Sequence, residues 1–441
     1  MKFSNKKILV CGMARSGQAA ALVLSRIGAK VCANDLKKEI DWEYSPAENG
    51  IEVRLGEAPD NFLDEFELII ISPGISVYAP FVEKAKAMCI PVWGEAELAY
   101  RLCPCPMVAI TGTNGKTTVT TLVGEILKLH NAGTVIAGNI GIPLTSLVNN
   151  LSEENIVVAE ISSFQLETVS AFKPKINAIL NITEDHLDRH HTMENYIAAK
   201  SRIFENNGEN EISVLNYDNC ITKRLNPRGK IVYFSTCEEL ESLPNSVYLK
   251  NGEIFSEGNA ILKISETKVM TENALAATAI SLAAGVSLDK IAMVLRNFSG
   301  VPHRLEFVEK INGVDYYNDS KATNTDASMK ALETFDRPVI LIGGGYDKNT
   351  DFTPWVKMFG AKVKHLILIG QTANQISKIC DDINFSSYEK ADSLQKAVSR
   401  AGELAKSGDT VLFSPACASF DMFKNFEERG DMFKKFIKEG A

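Results

Sequence analysis

Short apolar runs recurring between helical stretches constrain this chain more than any other feature. Residues 8–11, 31–33, 68–71, 108–110, 157–161, 178–180, 339–342, 366–369 and 410–413 are such runs, and the segments between them carry helical spacing. A strand that is apolar along its whole length is buried on both faces, so the alternation predicts an α/β protein of parallel sheets covered by helices. Most of the runs lead into Gly, Ser, Asn or Asp, which puts polar groups at the carboxyl edges of the sheets, where open α/β folds bind ligands. With 441 residues the chain suits about three domains. Turn residues near 93–94 and 299–302 interrupt the pattern and give the boundaries 1–94, 95–300 and 301–441. The segment 225–269 reads as short strands and turns.

Charge and composition exclude several classes of partner. The net charge is −8 and no long basic block occurs, which argues against nucleic acid and against an anionic membrane surface. No apolar run approaches the ~20 residues of a membrane span, and the N-terminus leads straight into a strand instead of a signal-peptide core, so a cytoplasmic protein is expected. Nine cysteines, an odd number, predict reduced thiols. Cys103-Pro104-Cys105 is the only close pair, and without a second ligand pair it argues against zinc.

The chemistry concentrates after the run 108–110. Gly112-Thr113-Asn114-Gly115-Lys116-Thr117-Thr118 stands between that strand and an amphipathic helical segment. This is the setting of a phosphate-holding loop: glycines let backbone N–H groups close around phosphate oxygens, the helix start adds positive potential, Lys116 reaches the outer phosphates and the Thr117 hydroxyl can ligate Mg²⁺. ATP is the expected ligand. The motif is a shortened one, because Ile110 occupies the place where the longer pattern has its first glycine.

A second glycine loop, Gly12-Met13-Ala14-Arg15-Ser16-Gly17, follows the first strand, with Asp35 ending the next one. It is similar to a dinucleotide fingerprint, but Ala14 stands where a glycine would let a pyrophosphate approach the backbone. A nucleotide diphosphate of another kind fits better than a nicotinamide cofactor. Glu160 sits inside the apolar run 157–161, where a carboxylate needs a partner, and a phosphate-bound Mg²⁺ would supply one. Three of the six histidines, His186, His190 and His191, crowd into one polar stretch, with surface placement expected for the last two. Read locally, Lys200 is a solvated helix lysine.

Together the phosphate loop, Glu160 with Ser162–Glu167, Asn181–Asp188, Lys200, His303-Arg304, Asp319–Asn324 and Ser414–Asp421 resemble the Mur ligases, over residues 9 to about 430. The resemblance implies three domains, each a largely parallel sheet flanked by helices: Rossmann-like, then P-loop, then Rossmann-like. It implies an ATP-dependent amide ligase with UDP-N-acetylmuramoyl-L-alanine and D-glutamate as substrates, acting as a monomer through an acyl phosphate. Lys116, Glu160, His186, Lys200 and Lys321 become the catalytic set. Thr117, Glu160, His186 and Lys200 would hold two Mg²⁺ ions, with Lys200 carried as a carbamate, since CO₂ addition turns an ammonium that repels Mg²⁺ into an anionic ligand. By the same resemblance Gly112 to Thr118, Asn273, Arg304 and Asp319 contact ATP. Arg15, Ser16, Asp35, Leu36, Lys37, Gly74, Asn139 and His186 contact the UDP-sugar, and Lys321, Thr323, Lys348, Ser419 and Phe426 the glutamate. Two other readings remain open from the residues alone, a nicotinamide-dependent oxidoreductase built on the first domain and a nucleotide-sensing scaffold without turnover.

Overall fold

A computed structural model describes residues 3–348 and 350–440. The chain divides into two compact units, Met1–Phe298 and Ser299–Ala441. The first unit holds two sheets. Strands β1 (Lys7–Cys11), β2 (Lys30–Asp35), β3 (Glu52–Leu55), β4 (Leu68–Ile71) and β5 (Val92–Gly94) form an all-parallel sheet in the order β3-β2-β1-β4-β5. Next come β6 (Met107–Thr111), β7 (Thr134–Gly138), β8 (Ile156–Glu160), β9 (Ile176–Ile179), β10 (Ile212–Asn216), β11 (Lys230–Ser235), β12 (Val247–Lys250), β13 (Glu253–Ser256) and β14 (Asn259–Lys263). Their order is β14-β13-β12-β11-β10-β9-β6-β8-β7, parallel except for the meander β12-β13-β14.

The second unit carries β15 (Glu306–Ile311), β16 (Val314–Asn318), β17 (Val339–Gly343), β18 (Val363–Leu368), β19 (Tyr388–Lys390) and β20 (Thr410–Phe413), ordered β15-β16-β20-β17-β18-β19. Only β15 runs antiparallel. Every apolar run read from the sequence is a strand here, and the predicted mostly parallel α/β architecture holds.

Strand order fixes where ligands can go. β1 has β2 on one side and β4 on the other, and β6 lies between β8 and β9, so in each sheet the chain reverses direction beside that strand. Loops leaving the carboxyl ends at such reversals splay apart and open a crevice. Both glycine loops leave from these two strands. In the third sheet the loops after β16, β17 and β20 emerge at one edge in the same way.

The cores follow from the apolar strands and the helices that cover them. Helix Thr271–Ala283, rich in alanine and buried from Asn273 to Ser281, packs closely on helix Lys116–His130, as a helix buried on most of its surface must. In the second unit Trp355 is fully buried and meets Phe359 edge-on at 4.9 Å, and its ring fills the space a side chain on Gly343 would need. Among the described residues no helix is long and apolar enough to cross a membrane.

Candidate active site

β6 is buried along its whole length and delivers the phosphate loop to the sheet edge. Gly115 has φ +80°, a left-handed conformation, and a Cβ there would lie 2.4 Å from Asn273 Oδ1, so both backbone and space demand glycine. Asn181 clamps the loop. Its Oδ1 accepts the Asn114 N–H at 2.8 Å, its Nδ2 donates to Asn114 O at 3.1 Å, and its carbonyl accepts the Thr113 N–H at 2.9 Å. Thr113 Oγ1 accepts the Thr183 N–H at 3.0 Å. Lys116 opens helix Lys116–His130 and lies back across the loop, its Nζ donating to Gly112 O at 2.9 Å and Thr113 O at 2.7 Å. Its ammonium therefore lies against two carbonyls of the loop itself.

Two ionisable groups meet this loop from inside the protein. Glu160, at the end of β8, is 1% exposed. Asn139 Nδ2 donates to its Oε1 at 2.8 Å, while among the described residues its Oε2 has no hydrogen-bond partner. A buried carboxylate oxygen left in that state is costly, and a cation is the partner that suits it. Lys200, also 1% exposed, lies in the last turn of helix Met193–Ser201 and donates from Nζ to Gly112 O at 2.8 Å, with the Tyr196 ring 4.7 Å away. Burial first, then the charge of Lys116, pushes the Lys200 amine well below its ordinary value, against the pull of Asp185 and Glu160. The local reading of Lys200 as a solvated lysine fails because its helix lies over the phosphate loop.

His186 has φ +55° and holds its Nε2 3.6 Å from Asp185 Oδ2, its ring edge-on to Phe164 at 4.8 Å. Surface placement of His190 is also overturned. It is 3% exposed, its Nε2 pairs with Ser163 Oγ at 3.0 Å and its Nδ1 lies 3.4 Å from Glu167 Oε1. Burial dominates its environment and lowers its basicity. His191 is exposed, as expected. Among the described residues no group of three or more His, Cys, Asp or Glu side chains is placed to hold a metal. The expected ligand set includes Thr117, half-exposed in the first helical turn, and Lys200, types outside that group.

Of the residues expected to contact a nucleotide-sugar, Arg15, Ser16, Asp35, Leu36, Lys37 and Gly74 lie at the carboxyl edge of the first sheet. Asp35 shapes the glycine loop directly: its Oδ2 accepts the Met13 N–H at 2.6 Å and its Oδ1 the Lys37 N–H at 2.9 Å. Ser16 lies in the first turn of helix Arg15–Arg26 after β1, Leu36 is 71% exposed, and Gly74 lies in the exposed turn after β4. Arg15 Nη2 donates to Gly141 O at 3.2 Å, reaching the turn that carries Asn139. Arg189, three residues after His186, donates to Ile75 O at 2.8 Å beside Gly74. Asn139 and His186, from the second sheet, therefore lie by the loops of the first.

In the second unit Asp319 is buried, with Ser414 Oγ donating to its Oδ2 at 2.7 Å and the Leu305 N–H to its Oδ1 at 3.2 Å. Burial raises the carboxyl to about 6, although the nearby Arg304 opposes this. Lys321 Nζ stands 4.9 Å from the centre of the Phe426 ring, and Tyr346 bridges to Ala418, which brings the loop bearing Lys348 beside Ser419. Thr323 is half-exposed in the same loop as Lys321.

Sequence reasoning missed the residue that holds these loops together. Arg429, fully buried, donates from Nε to Ser320 Oγ at 3.0 Å, from Nη2 to Ser320 O at 2.7 Å and from Nη1 to Ala418 O at 3.0 Å. An arginine in a charged terminal helix gives no signal of such burial. Tyr196 was missed too, and there a signal exists. It lies one helical turn before Lys200, so the two share a face, and its hydroxyl is 3.2 Å from Thr113 Oγ1.

Fold and site together define a class: α/β proteins in which a glycine loop at a sheet reversal, backed by a buried lysine and a buried carboxylate, is built for nucleotide phosphates. Comparisons with known proteins narrow it. Family models match as the Mur ligase MurD-like N-terminal domain over residues 6–94, the Mur ligase middle domain over 110–281 and the Mur ligase glutamate ligase domain over 303–417. The chain belongs to the Mur ligase family. It is 47% identical to the UDP-N-acetylmuramoylalanine–D-glutamate ligase of Caldanaerobacter subterraneus subsp. tengcongensis, covering 100% of this chain and 99% of that protein. The protein of the same name from Caldicellulosiruptor bescii is likewise 47% identical, with the same coverage of both chains. Among solved structures, the UDP-N-acetylmuramate-alanine ligase of Thermotoga maritima matches with a TM-score of 0.63 at 19% identity, over 99% of this chain and 100% of that one. The MurF ligase of Thermotoga maritima in complex with ADP matches with a TM-score of 0.61 at 17% identity, over 99% and 96%. At those identities the likeness is one of fold.

Proposed function

We propose that this chain is a cytoplasmic, monomeric, ATP-dependent amide ligase that adds D-glutamate to UDP-N-acetylmuramoyl-L-alanine in peptidoglycan precursor synthesis. Full-length relatives at 47% identity carry the name of that activity, which supports the assignment. The observation that carries it is the convergence on one loop carbonyl, Gly112 O, of two lysine amines, Lys116 and Lys200, in a site that also draws on Glu160.

Amide formation from a carboxylate requires a leaving group, and ATP provides it by phosphorylating the alanyl carboxylate. That step sets an anion against an anion, so its barrier falls where positive charge is already in place. Gly112 to Thr118 cradle the phosphates and Lys116 offsets their charge. Asn273, Arg304 and Asp319 receive the rest of the nucleotide. Thr117, Glu160 and His186 are the residues to hold Mg²⁺ in two sites, with Lys200 joining them as a carbamate. When bound, the metal supplies charge neutralisation at the transferring phosphoryl group. The unpartnered Glu160 Oε2 fits that role, and the depressed basicity of Lys200 favours the neutral amine, the form that adds CO₂.

Arg15, Ser16, Asp35, Leu36, Lys37, Gly74, Asn139 and His186 position the UDP-sugar. Asn139 also restrains Glu160, so it can register the substrate against the metal site. Lys321, Thr323, Lys348, Ser419 and Phe426 receive glutamate, whose two carboxylates call for two cations. The domain division that accompanies this reading is 1–94 for the UDP-sugar, 95–300 for ATP and 301–441 for the amino acid.

The deciding assay is ATP-dependent phosphate release with UDP-N-acetylmuramoyl-L-alanine, run separately with D- and L-glutamate. Release only with D-glutamate is the expected result, and no release with either isomer overturns the proposal.

A further inference from the structure

Cys103 and Cys105 flank Pro104 between helix Glu95–Leu102 and β6, and their sulfur atoms lie 3.4 Å apart. The Cys103 thiol also points at the Cys105 carbonyl, at 3.5 Å. We infer that this pair is a modification site, a dithiol that closes to an intrachain disulfide by exchange with a low-molecular-weight disulfide.

Local covalent structure prepares the pair. Each cysteine precedes a proline, Pro104 or Pro106, which confines its backbone to extended conformations, and Cys103 shows φ −72° and ψ +123°. Two residues separated by one span at most about 7 Å, near the upper limit for a disulfide, and the bend at Cys105 shortens that reach. The two thiols also differ in access. Cys103 is half-exposed and Cys105 is buried. Burial, reinforced by the hydrogen bond with Cys103, pushes the Cys105 thiol up to about 12, which leaves the first attack to Cys103.

In the first step the Cys103 thiolate attacks one sulfur of the external disulfide. A Cys103–S–S–R bond forms, the R–S–S–R bond breaks, and one thiolate leaves. Cys105, deprotonated, then attacks Cys103 Sγ, forming the Cys103–Cys105 bond and expelling the second thiolate. Two protein thiols are oxidised, one external disulfide is reduced to two thiols, and the two protons lost from the cysteines are taken up by the leaving thiolates.

The full-length protein is exposed to glutathione disulfide, blocked with N-ethylmaleimide and cleaved with trypsin after Arg101 and Lys116. This releases residues 102–116, in which Cys103 and Cys105 are the only cysteines. The exposed Cys89, Cys220 and Cys237 report in the same sample that exchange has taken place. The expected peptide has lost two hydrogens, carries neither maleimide nor glutathione, and outnumbers its singly glutathionylated form by at least about tenfold. In Cys105→Ser the same peptide should instead retain one glutathione on Cys103. A wild-type peptide bearing two maleimides or two glutathiones, once the exposed cysteines are modified, overturns the inference, and so does a Cys105→Ser peptide without glutathione.

Discussion

At Asp319 the demand of a buried carboxyl and the demand of a folded domain conflict. Its ordinary value of 3.8 is raised to about 6, chiefly by burial. The folded chain therefore binds this proton more tightly than the unfolded chain, and stability contributed at low pH is lost as pH rises from about 4 to about 6. Above that window the cost is on the order of 3 kcal/mol. Asp319→Asn should remove it, making the second unit more stable than wild type at pH 7, with the difference shrinking toward pH 4. Denaturant titrations across that range check this, and a difference independent of pH would refute it. Lys116 makes a different prediction, about rate. Lys116→Ala should leave the fold intact, alanine being a good helix former, and lower kcat for phosphate release by roughly 10²- to 10³-fold, as losing one donor at a developing charge does. Turnover within a few-fold of wild type would contradict the role given to this lysine. Both residues were legible in the sequence, one by its motif and the other by resemblance. Arg429 was not, because only the folded loops around Ser320 and Ala418 supply an acceptor for each of its three nitrogens.

Among elements, strands that form continuous apolar runs could be read from sequence, whereas edge strands and central strands interrupted by polar residues, such as β10 with Ser213 and β16 with Asp315, could not. β6, β8, β9, β17 and β20 are continuous apolar runs, whereas β3 and β15 sit at sheet edges and mix exposed charged residues with apolar ones. Helix Met193–Ser201 lacks a pronounced apolar face, which is why the burial of Lys200 escaped local reasoning. Its position depends on its ends. Thr192 caps the helix, its side chain accepting the Asn195 N–H at 3.2 Å, and Lys200 lies in the last turn. Thr192→Ala should cost about 1 kcal/mol of stability, the usual value of such a cap, and speed hydrogen exchange in the first helical turn. Unaltered exchange there would show that packing of Tyr196, not the cap, secures this helix.

For the whole molecule, the sequence pattern divides the chain into three sheets, and all three are present. What it conceals is that the first two sheets share one compact unit. The residues responsible read as surface charges. Glu97 is fully buried and accepts the backbone N–H groups of Ser170, Ala171 and Phe172, while Glu95 accepts both the N–H and the hydroxyl of Thr145. Helix Glu95–Leu102 is thereby tied to the second sheet through hydrogen bonds that no periodicity encodes. The second unit has an apolar core of its own around Trp355, with Phe352, Phe359, Leu341 and Leu366. Because that core is separate, a cavity made in it should be felt locally. Trp355→Ala should destabilise Ser299–Ala441 by about 3–5 kcal/mol, the cost of deleting a large buried ring from a close-packed interior. Hydrogen exchange should accelerate by more than about tenfold at the amides of β17, β18 and β20, while those of β6, β8 and β9 keep wild-type rates. Equal acceleration in both sets would mean that the two units unfold as one cooperative body, and that separate cores do not here amount to separate stabilities.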